Sequence, residues 1–355
     1  NSQVGQRYAD LITAGTLPDI IYESNSLAKG SIIENNFQYD LDELVKKNKF
    51  DLNRFEPNVL MQARYSNSGS KLYGLPYSVN RYALVYNKDL FDKFGVAYPK
   101  DGMTWDETYT LAQRLTRQDG GASYQGFAMN TPANYMLNNQ LSLDPLHEKE
   151  DKANVLTDGW KLLYENLRRF YQIPNTSVTN TNFTNGQLAM MVGALSISQF
   201  NQFAQNPQLN WDLVAVPTLK EAPKTGFKPA GLSMFITQTS KHKEEAFQVA
   251  DYLVSEEFQT VFARNGGGTT LASEKVRSVA GQDVPALKGK NTKALYYYAL
   301  APSSPPRADQ LTNVSVNFAN SFSKMIETNI DTNTALRTLD EEINKLIAET
   351  KAKTK

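Results

Sequence analysis

Few side chains in this sequence are equipped for bond-making chemistry. The 355 residues contain no cysteine and two histidines, His147 and His242. Without thiols there is no disulfide framework, thiolate metal site or thiol nucleophile. Two imidazoles supply almost no material for a catalytic triad or a multi-histidine metal site. His147-Glu148-Lys149-Glu150 begins like the zinc motif His-Glu-x-x-His, but position 151 is aspartate, so the stretch reads as a solvated loop. Asn265-Gly266-Gly267-Gly268-Thr269-Thr270 is glycine-rich, as phosphate loops are. It lacks their spacing and their lysine and follows a helical pattern, which makes it a turn. Asp340-Glu341-Glu342 is the polar face of a final helix. No Gly-x-Ser-x-Gly elbow and no EF-hand calcium loop occurs. No metal and no cofactor is expected.

Composition narrows the class further. Lys plus Arg and Asp plus Glu are both 37, for a net charge of zero. That balance argues against a nucleic-acid partner, since phosphate neutralisation needs a basic face. The hydrophobic fraction of 41%, with 11% aromatic and 21% charged residues, supports packed cores and excludes a disordered chain. No run approaches the roughly 18 apolar residues of a spanning helix. Cysteine avoidance hints at an extracytoplasmic compartment. At about 150 residues per domain the length allows a little over two domains.

The elements that would position any site alternate along the chain. Residues 3–14 read as a helix closed by Gly15, and Ile20-Ile21-Tyr22 as a buried strand. Strands follow at 72–76 and 82–86, the second feeding a helix over 88–94 that Asn87 can cap. Thr104-Trp105-Asp106-Glu107 is a capping box for the next helix. The spacing predicts a strand at 124–129 and an amphipathic helix at 159–171. Phe183 to Gly193 opens as a helix and runs into a strand over 188–192. A helix over 196–204 and strands at 212–216 and 231–237 come next. A long helix capped by Ser240 and two last helices, 313–326 and 334–347, complete the reading. This alternation is the α/β pattern.

The order of these signals resembles the extracellular solute-binding proteins of ABC importers, in the maltose-binding-like cluster that takes sugars. The matching pieces are Ala14-Gly15-x-x-Pro18-Asp19-Ile20, Leu72-Tyr73-Gly74-Leu75-Pro76 and Tyr86-Asn87-Lys88-Asp89-Leu90-Phe91. Gly95-Val96, Pro99, the Thr104 capping box, Phe183-x-Asn185-Gly186-Gln187-x-Ala189-Met190 and Trp211-Asp212-x-x-x-x-Pro217 follow in the same order. Each piece alone is a cap or a turn; their ordered combination over residues 6–347 is specific. The resemblance implies two α/β lobes, each a mostly parallel sheet flanked by helices, with a ligand cleft at a multi-strand hinge. Hinge crossings are expected near 121–126, 229–231 and 299–306. The lobes would then be residues 1–122 with 231–298 and residues 123–230 with 299–355. Family members carry a strand, a helix and a strand ahead of the position of Gln3. In the family a signal peptide, and in Gram-positive members a lipid-modified cysteine, lie further upstream. The 355 residues are therefore expected to lack the start of the mature protein, a cell-surface lipoprotein or periplasmic receptor.

Site candidates follow from the resemblance and from the rule that open α/β sheets bind ligands beyond their strand ends. Ser24 and Asn25 follow the first strand, where the alternative is a plain turn. Asn80 and Arg81 precede the strand 82–86; Arg81 suits vicinal hydroxyls or a carboxylate, or else an interlobe salt bridge. Asn130, Asn134 and Tyr135 combine amides with an aromatic ring, though an ordinary loop also fits them. Leu195 and Ser196 occupy the family's stacking loop, and Gly231 and Ser233 a crossing. Arg307 either reaches the cleft or lies at the surface, and an acidic sugar is favoured if it joins Arg81. The family's stacking tryptophans are replaced by Gly193-Ala194-Leu195 and Ala230-Gly231-Leu232. Trp105, Trp160 and Trp211 stand at element starts and read as structural. The expected function is a monomeric, non-enzymatic receptor that hands a mono- or oligosaccharide, neutral or acidic, to ABC membrane subunits. A carbohydrate-active enzyme with paired carboxylates, or an extracellular sensor on the same fold, are the alternatives.

Overall fold

The computed structural model describes residue 8 and residues 10–65, 71–179, 181–308 and 310–354. The chain divides into two compact units: Asn1–Asn80 with Pro229–Ala280, and Arg81–Lys228 with Gly281–Lys355. Among the described residues nine strands occur: β1 (Ile20–Ser24), β2 (Gly74–Val79), β3 (Arg81–Asn87), β4 (Arg117–Asp119), β5 (Ala122–Tyr124), β6 (Ala128–Met129), β7 (Met190–Leu195), β8 (Trp211–Ala215) and β9 (Gly231–Ile236).

In the first unit the strand order is β1-β9-β2, and β9 runs antiparallel to both neighbours. Alternation along these strands sends side chains to two faces. Leu75, Met234 and Ile236 pack with Phe247 and Ala250 of the helix Lys243–Leu253. Ile21 and Phe235 pack on the opposite face with Ala28, Ile32 and Phe37. Gly231 is required for the central pairing, because a Cβ there would lie 1.9 Å from the Ser78 carbonyl oxygen.

In the second unit the order is β6-β7-β3-β8, with β6 parallel to β7 and β3 antiparallel to β7 and β8. Leu84, Tyr86, Met190, Val192 and Val214 face a core completed by Trp105 and by Trp160, Leu163, Leu167 and Phe170 of the helix Asp158–Tyr171. Ala83, Val85, Met191 and Leu213 face Phe200 and Phe203 of the helix Ile197–Ala204 and Leu287 and Ala294 from the 281–298 stretch. All three tryptophans are buried, as their element-start positions suggested. The α/β class holds, and most strands of the two larger sheets run one way. The two exceptions, β9 and β3, are each the first strand after the chain passes from one unit to the other, so most hydrogen-bonded pairs are antiparallel.

The passages between units fall at Asn80/Arg81, Lys228/Pro229 and Ala280/Gly281. The expected boundaries were at 122, 230 and 298; the first and last are replaced by 80 and 280. Residues 81–87 belong with β7 and β8 because they pair with both. The glycines at 120 and 121, with φ of 57° and 80°, turn the hairpin β4–β5 instead of marking a hinge. The 299–306 stretch is knit into the second unit: Gly226 N donates to Ala299 O at 2.8 Å and Ala301 N to Phe227 O at 3.2 Å.

Local signals mostly hold. Asn87 Oδ1 accepts from the backbone of Asp89 and Leu90, and Thr104 with Glu107 forms the reciprocal capping box. Residues 3–7 and 9 of the first expected helix lie outside the described residues; residues 10–13 are helical and Gly15, at φ 64°, follows them. Ser240 does not cap the long helix. Its hydroxyl donates to Asp19 Oδ1 at 2.5 Å, and the helical stretch is two helices, Lys243–Leu253 and Glu256–Arg264. The strand expected over 124–129 is interrupted where Gly126 meets the Ala112 carbonyl, 2.1 Å from where a Cβ would stand. The helix expected from 313 begins at Phe318, after an Asn317 cap.

Candidate ligand-binding site

The C-terminal ends of β1 and β2 and the start of β9 share one edge of the first unit's sheet, as the pairs Ser24↔Leu232 and Val79↔Gly231 require. Ser24, Asn25, Asn80, Gly231 and Ser233 all gather there. Asn25 is 5% exposed and is held from both ends of its amide. Its Oδ1 accepts from Ser233 Oγ at 2.6 Å and its Nδ2 donates to Gln62 Oε1 at 3.1 Å. Its backbone N–H also donates to Gly231 O at 3.0 Å. Gln62, from the helix Pro57–Tyr65, in turn donates to the Pro229 carbonyl. Ser233 is fully buried. Asn25, Ser233 and Gly231 therefore brace the strand ends, and the groups left facing outward are Asn80 and the half-buried Ser24, whose hydroxyl shares a 2.9 Å hydrogen bond with Ser26. Gln62 carries no local sequence signal, since its partners are 37 and 167 residues away.

In the second unit the start of β3 and the ends of β6 and β7 form a comparable edge. Arg81 pairs with Leu195, and Asn130 N–H donates to Val192 O at 2.9 Å. Gly193 lets Asn130 settle over β7; a Cβ at 193 would come within 2.9 Å of Asn130 Cβ. The guanidinium of Arg81, 3% exposed, stands 4.3 Å over the Tyr296 ring. Ser196 caps the helix Ile197–Ala204 through the backbone of Gln199 and stays exposed. Asn134, on the helix Pro132–Leu137, is half-buried.

Three expected contacts are corrected by burial. Tyr135 has no exposed surface; it packs edge-on to Trp105 at 5.4 Å and its hydroxyl accepts from Asn166 Nδ2 at 2.8 Å. Burial drives its phenol well above the ordinary range, so it is a core residue. Leu195 is likewise core, packed with Phe200 and Phe203. Arg307 is neither at the surface nor free for a ligand. Its donors go to the carbonyls of His147 at 2.8 Å and Thr312 at 2.7 Å, to Asn313 Oδ1 at 3.1 Å, and to Glu150 O and Asp151. It ties the 147–151 loop to the segment before the helix Phe318–Thr328. The glycine-rich 265–270 stretch is a structural turn, with Thr269 bonded to Gln259 and Thr270 to the Pro76 carbonyl.

Two cavities in the second unit bear on binding. One, of about 280 Å³, is lined by a closed ion cluster in which Asp106 meets Arg169 and Lys220, each at 2.6 Å. The hydrogen bonds from Lys220 and Arg169 hold the Asp106 carboxyl below its usual range. The other, of about 600 Å³, begins at Asn130 and runs between the 179–184 stretch and the helix Ile197–Ala204. Among the described residues no group of three or more His, Cys, Asp or Glu is placed to hold a metal ion.

The family of bacterial extracellular solute-binding proteins matches residues 2–260, and the chain belongs to that family, whose members act outside the cytoplasm. At 26% identity over 223 residues it is similar to the binding protein BAB2_0491 of Brucella abortus (strain 2308), with 58% of this chain and 52% of that one covered. The chain thus spans about half the length of the curated relatives it matches. In fold it is similar to the sugar-binding protein MalE from Xanthomonas citri, with TM-score 0.76, 19% identity, and 97% and 87% of the two chains covered. It is also similar to a cyclic alpha-maltosyl-1,6-maltose binding protein from Arthrobacter globiformis, with TM-score 0.75, 16% identity, and 98% and 88% covered.

Proposed function

We propose that this chain captures a neutral mono- or oligosaccharide outside the cytoplasm and delivers it to the membrane subunits of an ABC importer. It works as a monomeric receptor, lipid-anchored or periplasmic, and performs no chemistry on its ligand. The observation that carries this reading is the neutrality of the groups left available at the strand ends: Ser24, Asn80, Asn130, Asn134 and Ser196. Amides and hydroxyls exchange water for sugar hydroxyls at small net cost, whereas an unpaired charge would have to be desolvated. Of the two candidate cations, Arg81 already lies over Tyr296, and Arg307 is committed to carbonyl groups and Asp151. That leaves an acidic sugar without the second cation it would need.

The test is a thermal-shift screen with neutral sugars, acidic sugars, peptides, phosphates and polyamines. A bound sugar at 100 times its Kd is expected to stabilise the fold by about 2.7 kcal/mol, and Asn130→Ala to reduce that shift. Stabilisation by peptides, phosphates or polyamines with none by sugars overturns the ligand class. Turnover of chromogenic glycosides that survives repurification overturns the receptor role.

A further inference from the structure

Asparagine is followed by glycine at two places in this chain, Asn185-Gly186 and Asn265-Gly266. At such a pair the glycine nitrogen can attack the asparagine side-chain carbon, because no Cβ crowds the approach. The nitrogen bonds to Cγ, and the side-chain nitrogen leaves as ammonia with the proton that the glycine nitrogen gives up. Water then opens the five-membered imide at either carbonyl, which leaves aspartate or isoaspartate. Water is the one co-reactant, so the surroundings of each pair decide its fate.

Both asparagines are exposed, yet they are held differently. Asn265 closes the helix Glu256–Arg264. Its Nδ2, the leaving nitrogen, donates to Val261 O at 2.9 Å. The attacking nitrogen, Gly266 N, donates to Ala263 O at 2.9 Å. Both bonds must break before the reaction can start. At the other pair Gly186 N stands 3.5 Å from Phe183 O, beyond the about 2.7–3.2 Å of an ordinary N–H···O bond. The Asn185 Nδ2 donates to no described residue, while its Oδ1 accepts from Gln187 N at 2.9 Å. That bond folds the side chain over the Gly186 peptide. It also places a donor where negative charge develops on the oxygen as Cγ is attacked.

We infer that Asn185 is a site of spontaneous modification: in the folded protein it converts to aspartate and isoaspartate while Asn265 keeps its amide. This stands apart from the sugar-binding reading. Aspartate retains an oxygen for Gln187 N. Isoaspartate lengthens the main chain by one carbon just before Gly186. The next residue, Gln187, is the one whose carbonyl accepts from the buried Gln125 at 3.0 Å ahead of β7. Either product adds a negative charge to a chain whose net charge is zero.

The test is incubation of the folded, full chain in neutral and in mildly alkaline buffer. Isoelectric focusing, peptide mass mapping and labelling by isoaspartyl methyltransferase follow the products. An acidic species modified at 185 is expected, growing faster at the higher pH because the glycine nitrogen attacks once deprotonated. Conversion at 185 is expected to outpace that at 265 by about tenfold or more, the factor for two modest hydrogen bonds that must first break. In urea, where both pairs lose their partners, the two rates are expected to converge. Asn185→Ser, whose hydroxyl can still accept from Gln187 N but which has no amide to lose, is expected to stay free of that species. Equal rates at the two sites in the folded protein, or an intact Asn185 while the unfolded chain converts, overturns the inference. So does a preference for 185 that persists in urea, or an acidic species that Asn185→Ser forms undiminished.

Discussion

At the first unit's strand ends the Asn25 amide has its oxygen on Ser233 and its nitrogen on Gln62. Removing it leaves a fully buried hydroxyl and a glutamine oxygen without those partners. Because an orphaned buried group costs more than the bond itself contributes, Asn25→Ala is expected to destabilise the protein by about 2–3 kcal/mol. Ser233→Ala, which removes one bond instead of two and leaves a single acceptor, Asn25 Oδ1, without it, is expected to cost about 1 kcal/mol. Urea denaturation separates the two; equal midpoints for both variants would mean that Asn25 does not brace the edge. The same comparison of buried and available groups explains Tyr135 and Arg307. A tyrosine and an arginine in loops read as ligand contacts because their types suit sugars. Whether such a side chain is available depends on what folds over it: Asn166 and Trp105 over Tyr135, and the 147–151 loop around Arg307.

Elements are set by shorter-range physics. The Thr104 hydroxyl and Glu107 carboxylate answer each other's backbone amides within one turn. Thr104→Ala is expected to cost about 1 kcal/mol and to lower the urea midpoint without changing the slope. Gly231→Ala belongs to a harsher class. Its methyl would meet the Ser78 carbonyl, part of the backbone of the neighbouring strand, which cannot yield as a side chain can. Loss of soluble folded protein, read by circular dichroism and yield, is the expected outcome; a folded Gly231→Ala protein of near-normal stability would refute the close strand approach. Both the capping box and the Asn87 cap were legible because the interacting groups sit within three residues. Ser240 was misread for the opposite reason: its acceptor, Asp19, lies 221 positions away.

At the scale of the whole molecule, Lys228 stands where the chain leaves the second unit. Its Nζ donates to Leu143 O at 2.8 Å and Ser304 Oγ at 3.2 Å. The stem is partly exposed, yet burial of the ammonium pushes its pKa down to about 8, only partly offset by Asp144. A lysine with a folded pKa below its unfolded value binds fewer protons when folded, so stability rises with pH between the two values. Between pH 8 and pH 10 the protein is expected to gain on Lys228→Met, by at most about 1.4 kcal/mol per pH unit. Tyr82 acts in the reverse sense. Burial raises its phenol to about 12, so its contribution is present below pH 10 and is lost as the pH rises from 10 to 12. Urea midpoints measured from pH 7 to 11.5 should therefore pass through a maximum near pH 10 in the wild type. A flat difference between wild type and Lys228→Met across pH 8–10 would mean that the lysine is not desolvated.

The amino-acid order by itself determined the α/β alternation, the helix caps, the poverty of catalytic groups and the family. Each of these rests on residue type or on contacts within a turn. Tertiary structure decided which polar residues brace and which stay available. It also moved the unit boundary from 122 to 80, because Arg81–Asn87 pairs with strands more than a hundred positions further along. Burial and strand pairing join residues remote in sequence, and no local pattern of side chains encodes which remote segment will arrive.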